Sequence, residues 1–319
     1  MRRALLIGLS VLPVAPVLAQ PYPDKPITLV VPALPGGAQD IFARVIAGEL
    51  SKTLGQKVAI SNQSDRSPIA GTLAARSAAP DGYTLLSVSN AFARIPGLVR
   101  DAGYDALADF APVSPVSRMP MVLVTTPGFA GGSVAELITL AKTKPAALRF
   151  GTTGNASIGH VAAEMFMRHV GARMQHVSFR SSRQMHAGLT EGQVDLMFEQ
   201  LILVGAQVKA GKLHAIAVTT RTRAALLPDV PTLHDSGLLG FEDHAWTGVV
   251  APAGTSSAII LRLHAEIARV LGNPVWQKRF LDLGVELKAG ASPDEFSAFI
   301  KTEVAEFAKL VIDTGMKAD

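Results

Sequence analysis

The sequence has no cysteine. Disulfides, thiolate nucleophiles and Cys-ligated metal sites are therefore excluded, as is a lipid attached to an N-terminal thiol after export. Charge of one sign is also scarce. The formal net charge of +4 includes Arg2 and Arg3 of the leader described below, which leaves +2 for the rest. So near-neutral a chain carries no basic stripe of the kind nucleic acid requires. Beyond the first twenty residues no stretch reaches membrane-spanning length without charges or Gly/Pro breaks. Internal repeats and low-complexity linkers are missing too. Catalytic signatures fail one by one. A GxSxG elbow is absent, because Ser157 is flanked by Ala156 and Ile158, with Asn155 two residues back. Gly211-Lys212 is followed by Leu213, and Ala206 stands where a phosphate-binding loop needs its earlier glycine. The eight His show no HExxH spacing. No cofactor and no metal are expected.

What is present begins with a leader. Met1-Arg2-Arg3 is basic, and Leu5 to Leu18 is apolar apart from Gly8, Ser10, Pro13 and Pro16. Val17-Leu18-Ala19 closes the stretch before Gln20. A charged start, a short apolar core and small residues at the end make a secretory signal peptide, with cleavage expected after Ala19. The alternative is a retained anchor, but the stretch is short for a bilayer and broken by proline. Residues 1–19 are thus assigned to the signal and the mature chain to the periplasm.

Strand and helix patterns then alternate. Ile27 to Val31 is a continuous β-branched and Leu run, as expected of a parallel strand covered on both faces. After the Pro32 to Gly37 break, Ile41, Phe42, Val45, Ile46 and Leu50 recur at helical spacing. Further strands are predicted at Val58–Ile60, Tyr83–Val88, Val113–Thr125, Leu148–Gly151, Met174–Phe179, Leu196–Phe198, Ala215–Thr219 and Trp246–Ala251. Helices are predicted at Ile69–Ser77, from Ser133 (with Glu136 as a capping box) to Lys142, and at Ser157–Val170, Gln184–Thr190 and Leu201–Lys209. The tail reads as three more, at Ala258–Leu271, Val275–Leu283 and from Pro293 to about Thr314. Strands separated by helices imply parallel α/β domains. The extended segments at 113–125 and 246–251 are expected to carry the chain between two lobes. Lobe 1 is then discontinuous, 20–121 with 247–319, and lobe 2 is 122–246.

Five strand ends draw attention, because open α/β sheets bind ligands at the carboxyl ends of their strands. The first is Pro35-Gly36-Gly37-Ala38-Gln39-Asp40. Adjacent glycines present backbone N–H groups, and the helix that follows adds free donors and a positive dipole end. Such a place binds an anion without Arg or Lys, although an ordinary strand–helix turn has the same look. The loop is not GxGxxG and lacks an acidic ribose partner, which argues against a dinucleotide. The second is Thr152-Thr153-Gly154-Asn155, with Ser157 and His160 at the helix start; a charged His there is disfavoured by the dipole. The third is the strand-to-loop exit Ser89-Asn90 with Phe92 and Arg94. The fourth is Phe179-Arg180, and the fifth is Glu199 before Gln200. Arg94 and Arg180 are either solvated or placed to grip a second carboxylate, whereas Phe92 and Phe179 would instead wall a flat ring.

With these residues laid out, the chain resembles the substrate-binding proteins of tripartite tricarboxylate transporters, also called Bug receptors. The resemblance runs from about Tyr22 to Lys317. It is carried by Tyr22-Pro23-Asp24-Lys25-Pro26-Ile27, the Pro35 to Asp40 loop, Ala79-Pro80-Asp81-Gly82-Tyr83-Thr84, Asp109-Phe110-Ala111-Pro112-Val113, Gly192-Gln193-Val194-Asp195, Leu227-Pro228-Asp229-Val230-Pro231-Thr232 and Ala251-Pro252-Ala253-Gly254-Thr255. It implies an α/β, two-lobe type II periplasmic-binding-protein fold, with a ligand cleft between lobes joined by two hinge strands. It also implies that first-loop amides hold a ligand carboxylate and that Thr152 to His160 close from the other lobe. Departures stand at Gln39, where the family usually has Thr, and at Asn90 to Pro96, Phe179-Arg180-Ser181 and Glu199-Gln200. A monomeric receptor for a small carboxylate is expected, with membrane transporter subunits or a sensor protein as its partner. The rival from another class is a hydrolase using His160 with Ser157.

Overall fold

The computed structural model describes residues 22–64, 68–144, 147–155 and 157–315. The leader lies outside the described residues. The strands are Ile27–Val31 (β1), Val58–Asn62 (β2), Thr84–Ser89 (β3), Phe110–Thr125 (β4), Arg149–Thr152 (β5), Gln175–Ser178 (β6), Leu196–Gln200 (β7), His214–Val218 (β8), His244–Pro252 (β9) and Glu286–Leu287 (β10). The helices are Ala38–Leu54 (α1), Ile69–Arg76 (α2), Asn90–Leu98 (α3), Val134–Thr143 (α4), Ile158–Val170 (α5), Ser182–Thr190 (α6), Leu201–Lys209 (α7), Ser257–Leu271 (α8), Pro274–Leu281 (α9) and Pro293–Thr314 (α10). Local chemistry sets many boundaries. Gly55, in the left-handed region at φ 66°, ends α1. Ser133 and Glu136 form the anticipated capping box of α4, and Ser292 with Glu295 forms another at α10.

The strands join in one sheet of order β2-β1-β3-β9-β4-β7-β5-β6, with β10 and β8 also paired to β4. Pairs β1–β2, β1–β3, β5–β6 and β5–β7 are parallel. The rest are antiparallel, so the expectation of purely parallel domains is corrected to a mixed sheet. The cause is β4, whose 16 residues serve two half-sheets. Up to Pro120, which pairs with His244, it runs beside β9. From Met121, which pairs with Gln200, it runs beside β7, with β8 on its other edge. The chain returns at His244, antiparallel to its outward path. A second correction concerns the exit after Ser89, which is helix α3 rather than a loop, with Pro96 tolerated near its end.

Helices cover both faces of this two-lobed α/β fold. One apolar cluster runs unbroken across both halves, from Phe42 and Ile46 of α1 through Met119, Met121 and Leu123 to Phe166 of α5 and Phe198. On the other face Phe92, Tyr104, Phe110, Trp246 and Phe296 form the core of the first half. Met185, Leu189, Met197 and Val204 form that of the second. Among the described residues no helix is long and apolar enough to cross a membrane.

Candidate functional site

The direction of β4 brings the strand ends together. At Ser117 it lies level with Thr247 of β9, which pairs with Ser89 at the carboxyl end of β3, and it leaves β9 after Pro120. At Met121 it meets Gln200, the carboxyl end of β7, and β5 runs parallel to β7. The carboxyl ends of β1 and β3 therefore face those of β5 and β7 across a few residues of β4. A groove of about 780 Å³ among Val134, Leu213, His214, Val230 and Pro231 lies at the opposite end of the second half-sheet and takes in none of these residues.

On the first side, Pro35 and Gly36 are exposed and Gly37 is half-buried. Gly36 has φ +89°, which only glycine adopts freely. The N-cap of α1 is Gly37, without any side-chain cap, so the first-turn amides of Ala38 and Gln39 have no capping oxygen. Gln39 donates from Nε2 to Ser87 O (2.8 Å), tying the helix start to β3. Asp40 is a brace. Buried at 2% exposure, it accepts from the N–H of Gly36 (2.9 Å), from Asn62 Nδ2 (2.9 Å) and from Arg44 Nε (2.8 Å). Burial alone would raise its pKa, but the hydrogen bonds from Arg44, Gly36 and Asn62 outweigh it and hold the carboxyl below its ordinary value.

Replacing Asp40 with Asn leaves one carbonyl for three donors, at an expected cost of about 1–3 kcal/mol. Because the folded pKa is depressed, this contribution is complete above the unfolded value of about 3.9. It is lost as pH falls through the lower folded value. Thermal melts of wild type and Asp40→Asn should differ by a constant margin from pH 7 to about pH 4.5 and converge below that. A gap that does not begin to narrow as pH falls below about 4 would contradict the assignment.

Beside this loop, Ser89 occupies the N-cap position of α3 without a side-chain capping bond, and Asn90 is buried against the returning strand. Asn90 Nδ2 donates to His244 O (2.9 Å), and its Oδ1 accepts from Trp246 N (3.0 Å). Arg94 is neither solvated nor free. It is buried and donates from Nη2 to Asp243 Oδ1 (2.9 Å), beside the Phe307 ring. Phe92 is core, stacked on Tyr104 at 5.7 Å.

On the second side, the Thr152 hydroxyl accepts from Gly154 N (3.0 Å) and lies 2.6 Å from His176 Nε2. Thr153 and Asn155 are exposed. Ser157 caps α5 by accepting the backbone N–H of His160 (3.4 Å). The His160 ring stacks on His176 (4.6 Å between centroids) and, farther off, on Phe150 (6.2 Å). Ser157 and His160 thus meet as helix cap and stacked ring. Phe179 packs inward, where a Cβ on Gly188 would lie 2.5 Å from its ring. Arg180 is exposed. Glu199 is buried, its Oε1 accepting from Gln200 N (2.8 Å) and its Oε2 lying 3.2 Å from His186 Nε2. Gln207 Nε2 approaches His186 Nδ1 at 3.2 Å. The amide can only donate, so Nδ1 accepts and the ring proton on Nε2 is directed at Glu199.

The strand-end topology brings together the first loop, Ser89, the Thr152–Asn155 loop and the end of β7. The side chains of Asp40, Asn90, Arg94, Phe179 and Glu199 are engaged within their own lobes or at the crossing. Sequence reasoning passed over Thr219, whose hydroxyl donates to Asp243 O (2.7 Å) and accepts from Met121 N (3.0 Å), stapling the two crossings. No local signal marks a threonine whose partners lie on two other segments.

Comparison with known proteins agrees with this architecture. The structure of the periplasmic binding protein BugD superposes with a TM-score of 0.87 at 30% identity, covering 93% of this chain and 99% of that one. A Rhodopseudomonas palustris protein solved with adipate gives 0.88 at 32%, covering 93% and 99%. MatC of the same organism, solved with bound malate, gives 0.85 at 29%, covering 91% and 100%. The family model described as "Tripartite tricarboxylate transporter family receptor" matches residues 42–316. This chain is a member of that receptor family.

Proposed function

We propose that the protein is a periplasmic receptor that captures a small carboxylate and delivers it to a tripartite tricarboxylate-type transporter. The observation that carries this reading is the α1 start. Its amides are uncapped and face the strand ends of the other half-sheet, so a carboxylate completes a helix terminus that the protein leaves open. The relatives solved with adipate and malate support the ligand class. The leader of residues 1–19 supports export.

Arg94 is committed to Asp243, whereas Arg180 is exposed at the end of β6 with no ion pair among the described residues. Arg180 is therefore the cation placed to receive a second carboxylate. Calorimetric and thermal titrations with matched mono- and dicarboxylates test both statements. A ligand at 100 times its dissociation constant should add about 2.7 kcal/mol of stability. Diacids should bind more tightly than their monoacids, and Arg180→Ala should abolish that preference while leaving the melting midpoint unchanged. Stabilisation by a neutral sugar, with every carboxylate inert, would overturn the reading.

A further inference from the structure

The second crossing between the lobes has an unusual anatomy at Asp243. Its backbone belongs to the second half, where its N–H donates to Thr219 O (3.1 Å) and its carbonyl accepts from the Thr219 hydroxyl. Its side chain belongs to the first half, where Oδ1 accepts from Arg94 Nη2 at 2.9 Å. The next residue is already fixed to the first half, because Asn90 grips His244 O and Trp246 N. The chain therefore pivots between residues 243 and 244, with the Arg94–Asp243 contact reaching across the pivot.

That contact is half made. Arg94 and Asp243 side chains are only 7% and 5% exposed, yet Arg94 Nη1 and Asp243 Oδ2 have no hydrogen-bond partner among the described residues. A guanidinium and a carboxylate match each other's geometry through two parallel hydrogen bonds, and buried polar groups are rarely left unpaired. Arg94 has a firm seat. It lies on α3, which packs on α10, with the Phe307 ring at 5.8 Å and Glu303 at 3.9 Å. Asp243 is the partner that moves when one lobe turns on the other.

We infer that Arg94 and Asp243 form a two-position catch for the lobe angle, with one hydrogen bond in the arrangement described and two in a rotated one. The inference rests on the two-lobed fold and not on the nature of the ligand. Completing the fork gives the rotated arrangement its own stabilisation, independent of any solute, and so biases the unliganded receptor's population between the two.

The absence of native cysteine makes the test clean. Ala74→Cys on α2 and Lys142→Cys on α4 place one exposed label site in each half. Pulsed dipolar spectroscopy on the spin-labelled mature chain, without ligand, reads the distribution of inter-lobe distances. Arg94→Lys keeps the charge but loses the fork, and Asp243→Asn keeps the shape but loses a carboxylate oxygen. Both should shift the distribution in the same direction, changing the ratio of the two arrangements at least threefold, and the double variant should shift it no further. Should a single variant fail to fold, Arg94→Met with Asp243→Leu removes both charges together and must give the same shift. Folded variants whose distributions superimpose on wild type would overturn the inference, leaving the pair a structural contact only.

Discussion

Gly37→Val is expected to leave the fold intact and to weaken carboxylate binding about 10- to 100-fold. The backbone at Gly37 (φ −75°, ψ 165°) is ordinary extended conformation, and an added Cβ would meet only Leu34 O, at 3.8 Å. Stability should therefore fall by only about 1 kcal/mol, the cost of a β-branched residue at a helix N-cap. Binding should suffer because the valine methyls stand over the uncapped amides of the α1 start. Each charge-assisted hydrogen bond lost there costs about 1.5–3 kcal/mol. Gly36→Val makes the control. At φ +89° a side chain strains the loop itself, so fold and binding should decline together. Paired melts and calorimetric titrations separate the two variants. A well-folded Gly37→Val protein that binds like wild type would remove this loop from the site.

Gly159→Val is expected to show the converse, a large loss of stability accompanied by a loss of binding. A Cβ built at Gly159 would lie 2.6 Å from the backbone oxygen of Phe198, so α5 approaches β7 more closely than any side chain permits. A backbone carbonyl cannot swing aside as a flexible side chain can, and the helix must move instead. Overpacking of this kind costs about 1–3 kcal/mol, and a β-branched residue against a strand belongs at the upper end. The first turn of α5 carries Ser157 and His160 and continues from the Thr152–Asn155 loop, so the displaced helix takes that loop with it. The denaturant midpoint should fall with an unchanged slope. Retention of wild-type stability by Gly159→Val would show that α5 has slack against β7.

The features legible in the sequence are those written in neighbouring residues. The run Ile27–Val31, the capping box at Ser133, the helix start at Ser157 and the helical spacing after Gly37 each predict an element that the structure contains. The antiparallel turn of the sheet at β9 was not legible, because β-branched runs such as Trp246–Ala251 are alike in either direction. The two-residue β10 has no periodicity to detect. At the site, a charged residue after a glycine loop or a strand end invites a ligand role whether or not it has one. Asp40 finds three donors inside its own lobe, and Arg94 finds an aspartate 149 residues away, a partner no local pattern announces. The Thr152–Asn155 loop is legible only as a strand end rich in small polar side chains, and it does follow the end of β5.

The path of β4 has a consequence for the order in which the chain acquires its structure. Everything in the second half, from Met121 to Asp243, is one uninterrupted segment, closed when β8 returns to β4 across 98 residues. The first half has no such closure. Its strand β3 waits for β9, and Asn90 waits for Trp246, 156 residues later. Non-local pairing carries a larger loop-closure cost and forms more slowly. In a chain emerging from a pore amino end first, the inner segment can be complete while the outer one still presents the open edge of β3. Truncation of the chain after residue 243 should thus yield a protease-resistant core spanning residues 121–243, drawn from its middle and not from its amino end.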